Sequence, residues 1–179
     1  MVKILYFDTN AVVKYFCDEP GSDVVRWIVN NRVIESISIS TGKQTVAEFP
    51  KVIQKIARRG QISQEKAQAI IKKAQLYFQQ VFHVRDDKPG PGFNAGEDVE
   101  QENLLEKYNL VHGKDDWDAL HLMCVINYLR CFGGGSSPRV VTSDKNFKKV
   151  IQGEGYQVID PQDIAICELG NLLRGDGVS

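Results

Sequence analysis

The chain opens on a short, mostly apolar run, Val2 to Phe7, that stops abruptly at a carboxylate, Asp8. A run of this length with apolar side chains on both faces fits a strand covered from both sides, and such strands belong to parallel sheets layered between helices. The rest of the sequence keeps to that plan. Asn10 is positioned to cap a helix from Ala11 to about Cys17 that ends at Glu19-Pro20-Gly21. Ser22 is positioned to cap a second helix, with Val24, Val25, Ile28 and Val29 on its apolar face. Val33 to Ser40, rich in Ile, Val and Ser, reads as the second strand. Two longer helices are expected over Gln44 to Arg59 and Gln64 to Phe82, divided by a stop at Gly60 and a cap at Ser63.

The Pro- and Gly-dense segment 86–96 reads as a loop insertion within one domain. Helical patterns resume from Glu97 to Tyr108 and from Asp115 to about Arg130, and a turn is expected over 133–138. Arg139 to Thr142 is a strand, Asp144 to Gln152 a short helix and Tyr156 to Ile159 a last strand. Pro161 is suited to the first position of a terminal helix reaching Leu173. Strands interleaved with helices predict an α/β fold with a mainly parallel central sheet, as a single domain over 1–179. With 179 residues, 42% of them apolar, the chain can bury a core without disulfides or a structural metal. Its four cysteines show no paired or metal-ligand spacing, which fits a reduced, cytoplasmic setting. No apolar run approaches a signal peptide or a membrane span.

Charge is unevenly distributed, although the net charge is only −1. Residues 41–85 hold nine basic side chains against two acidic ones, and residues 86–118 hold ten acidic against three basic. The basic block reads as a polyanion-binding face, with Lys51, Lys55, Arg58 and Arg59 following Glu48 on one helix; two solvated helical surfaces would give the same pattern.

In open parallel sheets, active sites form beyond the carboxyl ends of the strands. That rule selects Asp8 and Asp144, each directly after a strand, and Glu48 and Asp118, each in the first turns of a helix. Singly, each acid is accounted for as a turn residue, a helix cap or a solvated side chain. Together they form a hard oxygen-ligand set suited to Mg²⁺ or Mn²⁺, and such a site favours phosphodiester hydrolysis.

The ordered set Phe7-Asp8-Thr9-Asn10, Val46-Ala47-Glu48, Asp118-Ala119-Leu120-His121-Leu122 and Val141-Thr142-Ser143-Asp144 resembles the PIN-domain ribonucleases, with matching order and spacing from Val2 to about Pro161. The resemblance implies a three-layer α/β/α fold and metal-dependent RNA cleavage at Asp8, Glu48, Asp118 and Asp144. It implies that Asn10, Thr142 and Ser143 support the site by hydrogen bonding. It also implies RNA as substrate and, for relatives of the VapC toxin type, a protein antitoxin and a homodimer. The chain departs from that type in its greater length, its insertion at 86–96 and its helix and tail after residue 161.

Other chemistries have less support. Gly90-Pro91-Gly92 follows no strand and its prolines lack amides, and Gly133 to Gly135 has no following Lys-Ser or Lys-Thr. No GxSxG elbow is present. A haloacid-dehalogenase-type phosphohydrolase would need an Asp where Asn10 stands, and a receiver domain would need a phosphoacceptor Asp ending a middle strand. His121 reads as a packing or hydrogen-bonding residue, and Trp27 and Trp117 as core or interface residues. The rival from another class is a catalytically inactive PIN-like module that binds RNA or protein. Loss of one acid would be expected of it, and all four are present.

Overall fold

The computed structural model describes residues 2–85, 103, 105–109, 121–123, 125, 126, 128, 129 and 138–174. Five strands form one parallel sheet in the order β3-β2-β1-β4-β5: β1 (Lys3–Phe7), β2 (Ile37–Gly42), β3 (His83–Arg85), β4 (Arg139–Val141) and β5 (Gln157–Ile159). Helices α1 (Thr9–Phe16), α2 (Ser22–Asn31), α3 (Lys43–Arg58), α4 (Gln64–Gln80), α5 (Lys145–Gly153) and α6 (Ile166–Arg174) flank it. This is the α/β architecture expected from the alternation of patterns. The described residues in 103–108 and 121–129 are helical, while the expected loop at 86–96, the turn at 133–138 and the helix start near Asp115 lie outside the described residues.

The period-2 geometry of a strand sends successive side chains to opposite faces, and the core divides accordingly. Leu5 and Phe7 of β1 and Val141 of β4 pack with the apolar sides of α1 to α4 and α6. Tyr6 and Val140 pack with Leu122, Met123, Val125, Ile126, Leu129 and α5 on the other side. β1 is therefore the central strand, covered on both faces, which is why its sequence reads as an apolar run. The chain builds β1, β2 and β3 outward in one direction, then returns to place β4 on the other flank of β1. The carboxyl ends of β1 and β4 thus border the point where the strand order reverses, the usual crevice of such sheets.

Several local expectations are corrected. Asp8, and not Asn10, caps α1: its backbone is extended (φ −74°, ψ 177°) and its carboxylate accepts the Ala11 amide at 2.7 Å. Gly21, in a left-handed conformation (φ 83°), stands at the cap of α2, while the Ser22 hydroxyl accepts from the Glu19 amide and donates to the Cys17 carbonyl. β2 begins at Ile37; Val33 and Ile34 have strand-like side chains but lie in a turn, 79% and 81% exposed. β3, three residues long, was not expected, and α4 stops short of Phe82. Asp144 is the cap of α5 and not its first residue. Pro161 does not open the terminal helix: the Asp160 carboxylate accepts the Gln162 amide in a turn, and α6 starts at Ile166, where Glu168 reaches back to the Ala165 amide at 3.2 Å. Trp27 is half-buried against the larger apolar cluster, and Trp117 lies outside the described residues. No helix among the described residues is long and apolar enough to cross a membrane.

Candidate active site

Register places the first side chains of the site. Phe7 pairs with Val141, and one step beyond the ladder the Asp8 amide still donates to the Val141 carbonyl while the Thr142 amide donates to that of Ile159. Asp8 and Thr142 are thereby neighbours, and the Thr142 hydroxyl donates to the second oxygen of Asp8 at 2.5 Å. The same hydroxyl oxygen accepts the Asp144 amide at 3.0 Å, so one threonine ties together the loops after β1 and β4. Asp144 in turn accepts the Asn146 and Phe147 amides, both at 2.9 Å, as the cap of α5. Capping and site placement are therefore not alternatives here. Both aspartates cap a helix, and both helices direct their amino ends at the same crevice.

α3 supplies the third carboxylate. The Thr9 hydroxyl donates to Glu48 at 2.6 Å, fixing that half-buried side chain beside the start of α1. Asp8, Glu48 and Asp144 line one cleft of about 90 Å³, together with Thr9, Asn10, Val52, His121, Leu122, Asn146 and Phe147. Asp8 is 3% exposed. Burial pushes its carboxyl up to about 7, the Thr142 and Ala11 hydrogen bonds oppose this, and the nearby charges of Asp144 and Glu48 add to it. An acid in that state is relieved by a proton or by a cation.

The remaining candidates are placed unevenly. Asn10 is exposed on the cleft rim. Ser143 donates to Asp160 at 2.9 Å and not to Asp8, Glu48 or Asp144; Asp160 also pairs with Lys148 at 3.3 Å. Asp118 lies outside the described residues. Lys51, Lys55, Arg58 and Arg59 are exposed on or just after α3. The first three recur with Glu48 at helical spacing, which puts them in one stripe leading from the cleft. Arg58 lies about 15 Å along the axis from Glu48.

One contributor escaped the sequence reading, and a second, expected to pack or hydrogen-bond, does so at the cleft itself. Thr9, the residue between two singled-out neighbours, orients Glu48, and helix geometry at the start of α1 was the available signal. His121 forms part of the cleft wall as well as packing: its Nε2 lies 3.2 Å from the Tyr6 hydroxyl, and its ring is 5.2 Å from that of Phe147. Burial pulls its pKa down to about 4, so it is neutral at ordinary pH.

Among the described residues no three His, Cys, Asp or Glu side chains meet as a metal-holding group. The donors lining the cleft are nonetheless mainly carboxylate, hydroxyl and amide oxygens, with the imidazole of His121 beside them and neither Cys17 nor Cys167 among them. Such a donor set fits a hard divalent cation and not a soft one.

No family model matches the sequence, and no curated protein matches it. The fold does have solved counterparts. One chain in the crystal structure of VapBC2 from Rickettsia felis, bound to a DNA fragment from its promoter, superposes with a TM-score of 0.55 at 18% identity. The match covers 87% of this chain and 97% of that one. The two share a fold.

Proposed function

We propose that this chain is a PIN-like ribonuclease, one domain over 1–179, that hydrolyses RNA phosphodiester bonds with Mg²⁺ or Mn²⁺. What carries the reading is a buried aspartate at the reversal point of a parallel sheet, its pKa raised further by two neighbouring carboxylates. Asp8, Glu48 and Asp144 would hold the cation, and Asp118 joins them through its sequence position alone. When bound, the cation supplies positive charge that offsets the negative charge building on the phosphoryl group during displacement. The chain's own side chains keep the donors in place: Thr142 orients Asp8 and the Asp144 loop, and Thr9 orients Glu48. Asn10, on the cleft rim, would support the site by hydrogen bonding. Lys51, Lys55, Arg58 and Arg59 would grip the RNA backbone beyond the cleft. Likeness in fold to a VapBC2 chain supports extending the proposal to a cytoplasmic toxin, held by a protein antitoxin and acting as a homodimer.

The test is incubation of the purified protein with mixed RNA in Mg²⁺ or Mn²⁺, with and without EDTA, alongside Asp144→Asn. Cutting that needs the metal and is lost in the variant is the expected result. Cutting that persists in chelator would remove the mechanism, and RNA binding without cutting would leave the inactive binding module in its place.

A further inference from the structure

A second depression adjoins the acid cleft on the side away from α3. It has a volume of about 520 Å³ and is lined by Asn10, Lys14, Glu19, Ser143, Asp144, Lys145, Asn146 and Gln162. Asn10, Asp144 and Asn146 belong to both hollows, so the two are continuous. α1, the start of α5 and three loops build this groove, the loops being the α1–α2 turn, the β4–α5 turn and the turn after β5. Gly21 locks the first to the third, since a Cβ there would stand 2.5 Å from the Pro161 carbonyl oxygen.

The groove's chemistry is specific in what it offers. Amides come from Asn10, Asn146 and Gln162 and exposed cationic charge from Lys145, while the Ser143 hydroxyl is given to Asp160 and the Lys14 ammonium to Glu19 and the Pro20 carbonyl. Its two acids are partly offset. Glu19 faces the ammonium of Lys14 at 3.6 Å, and one oxygen of Asp144 holds the first amides of α5. Lys14, 3% exposed, is fixed in the floor by the Pro20 carbonyl at 2.9 Å. Lys145 is exposed and enters none of the ion pairs recorded among the described residues. Among the described residues, no aromatic or large apolar side chain lines the groove, and these residues give no stacking platform for a base. The acid cleft, by contrast, is walled by Val52, His121, Leu122 and Phe147.

We infer that this groove seats the sugar–phosphate backbone of a single-stranded nucleic acid on the far side of the bond being cut, with Lys145 and Gln162 as its phosphate and sugar contacts, and that it reads no base. The inference rests on the ribonuclease reading and adds a direction to it. The strand enters along the basic stripe of α3, crosses Asp8 and leaves between Lys145 and Gln162. Base preference then arises in the acid cleft and not in the groove.

Fluorescence anisotropy of labelled octamers of uridine and of adenosine, in EDTA to prevent cutting, tests this with the full chain. Lys145→Gln and Gln162→Ala alter exposed side chains, and unchanged thermal melts would show that both variants fold. Each should weaken binding by about three- to tenfold, equally for the two octamers. Lys145→Gln alone should also flatten the slope of log K against log salt by about 0.7, the loss of one phosphate contact on a single strand. If both variants bind like the unmodified protein while Lys51→Gln binds less well, the strand bypasses the groove and this inference falls, with the ribonuclease reading intact. A loss confined to one octamer would overturn backbone-only recognition. An unmodified protein that neither binds the octamers nor cuts RNA would overturn both.

Discussion

Replacing Asp8 by Asn should make the metal-free protein more stable at neutral and alkaline pH. In the folded chain the Asp8 carboxyl titrates at about 7, against 3.8 for the free side chain. At 1.36 kcal/mol per unit, holding it ionised in the fold costs about 4 kcal/mol above pH 7. The direction follows from proton binding. Between pH 4 and 7 the folded state holds this proton more tightly than the unfolded one, so the group's contribution is best below 3.8 and worsens as pH rises to 7. Asparagine carries no charge yet keeps an oxygen to accept the Ala11 amide, so the cap of α1 survives. The Thr142 hydroxyl loses its charged acceptor, a deficit of about 1 kcal/mol. The net gain is about 3 kcal/mol at pH 8, or about 6–12 °C in Tm for a chain of this size, turning into a small loss near pH 4. Urea titrations followed by circular dichroism at pH 4.5, 6 and 8 in EDTA would measure it. A difference between variant and wild type that stays constant across that range would refute the reasoning, because the gain is tied to one ionisation.

Added Mn²⁺ should raise the Tm of the wild type but not of Asp8→Asn or Asp144→Asn; at a hundredfold excess over Kd the stabilisation is about 2.7 kcal/mol, and differential scanning calorimetry reads it. Thr142→Val removes both the donor to Asp8 and the acceptor of the Asp144 amide. It should cost about 1–3 kcal/mol and drive the Asp8 pKa higher still, measurable by carbon-detected NMR titration of the carboxyl. Gly21→Ala places a Cβ against the Pro161 backbone at positive φ. A loss of about 1–3 kcal/mol is expected in thermal melts, and an unchanged Tm would show that the two loops are not locked together.

How far the sequence reveals this fold depends on what holds each element. β1 and β4 are legible because apolar runs stop at a carboxylate, and the sheet buries both strands. The cap of α1 is not: Asp8, Thr9 and Asn10 are all capping types, and the choice is made by a bond from Thr142, far along the chain. Val33 and Ile34 carry strand-forming side chains, yet α2 runs on to Asn31 and the Ile37 amide bonds back to the Arg32 carbonyl, which leaves them in the turn. β3, His83-Val84-Arg85, is too short for its alternation to stand out and exists because Ser40, Thr41 and Gly42 of β2 offer it a partner edge. Of the site, the three described acids were legible from the strand-end rule alone. Thr9 was not, nor was the place of His121 in the cleft wall, since both depend on which neighbour each side chain meets.

The Thr142–Asp8 bond joins residues 134 positions apart. The first 85 residues contain β1, β2 and β3, together with Asp8 and Glu48, but not the threonine that holds Asp8 or the aspartate that faces it. A ribosome adding about 5–20 residues per second leaves an interval on the order of ten seconds between the making of one half of the crevice and the other. Throughout that time the nascent chain has an open flank on its central strand and no assembled site. The crevice is thus left incomplete until β4 docks and brings Thr142 and Asp144 to Asp8.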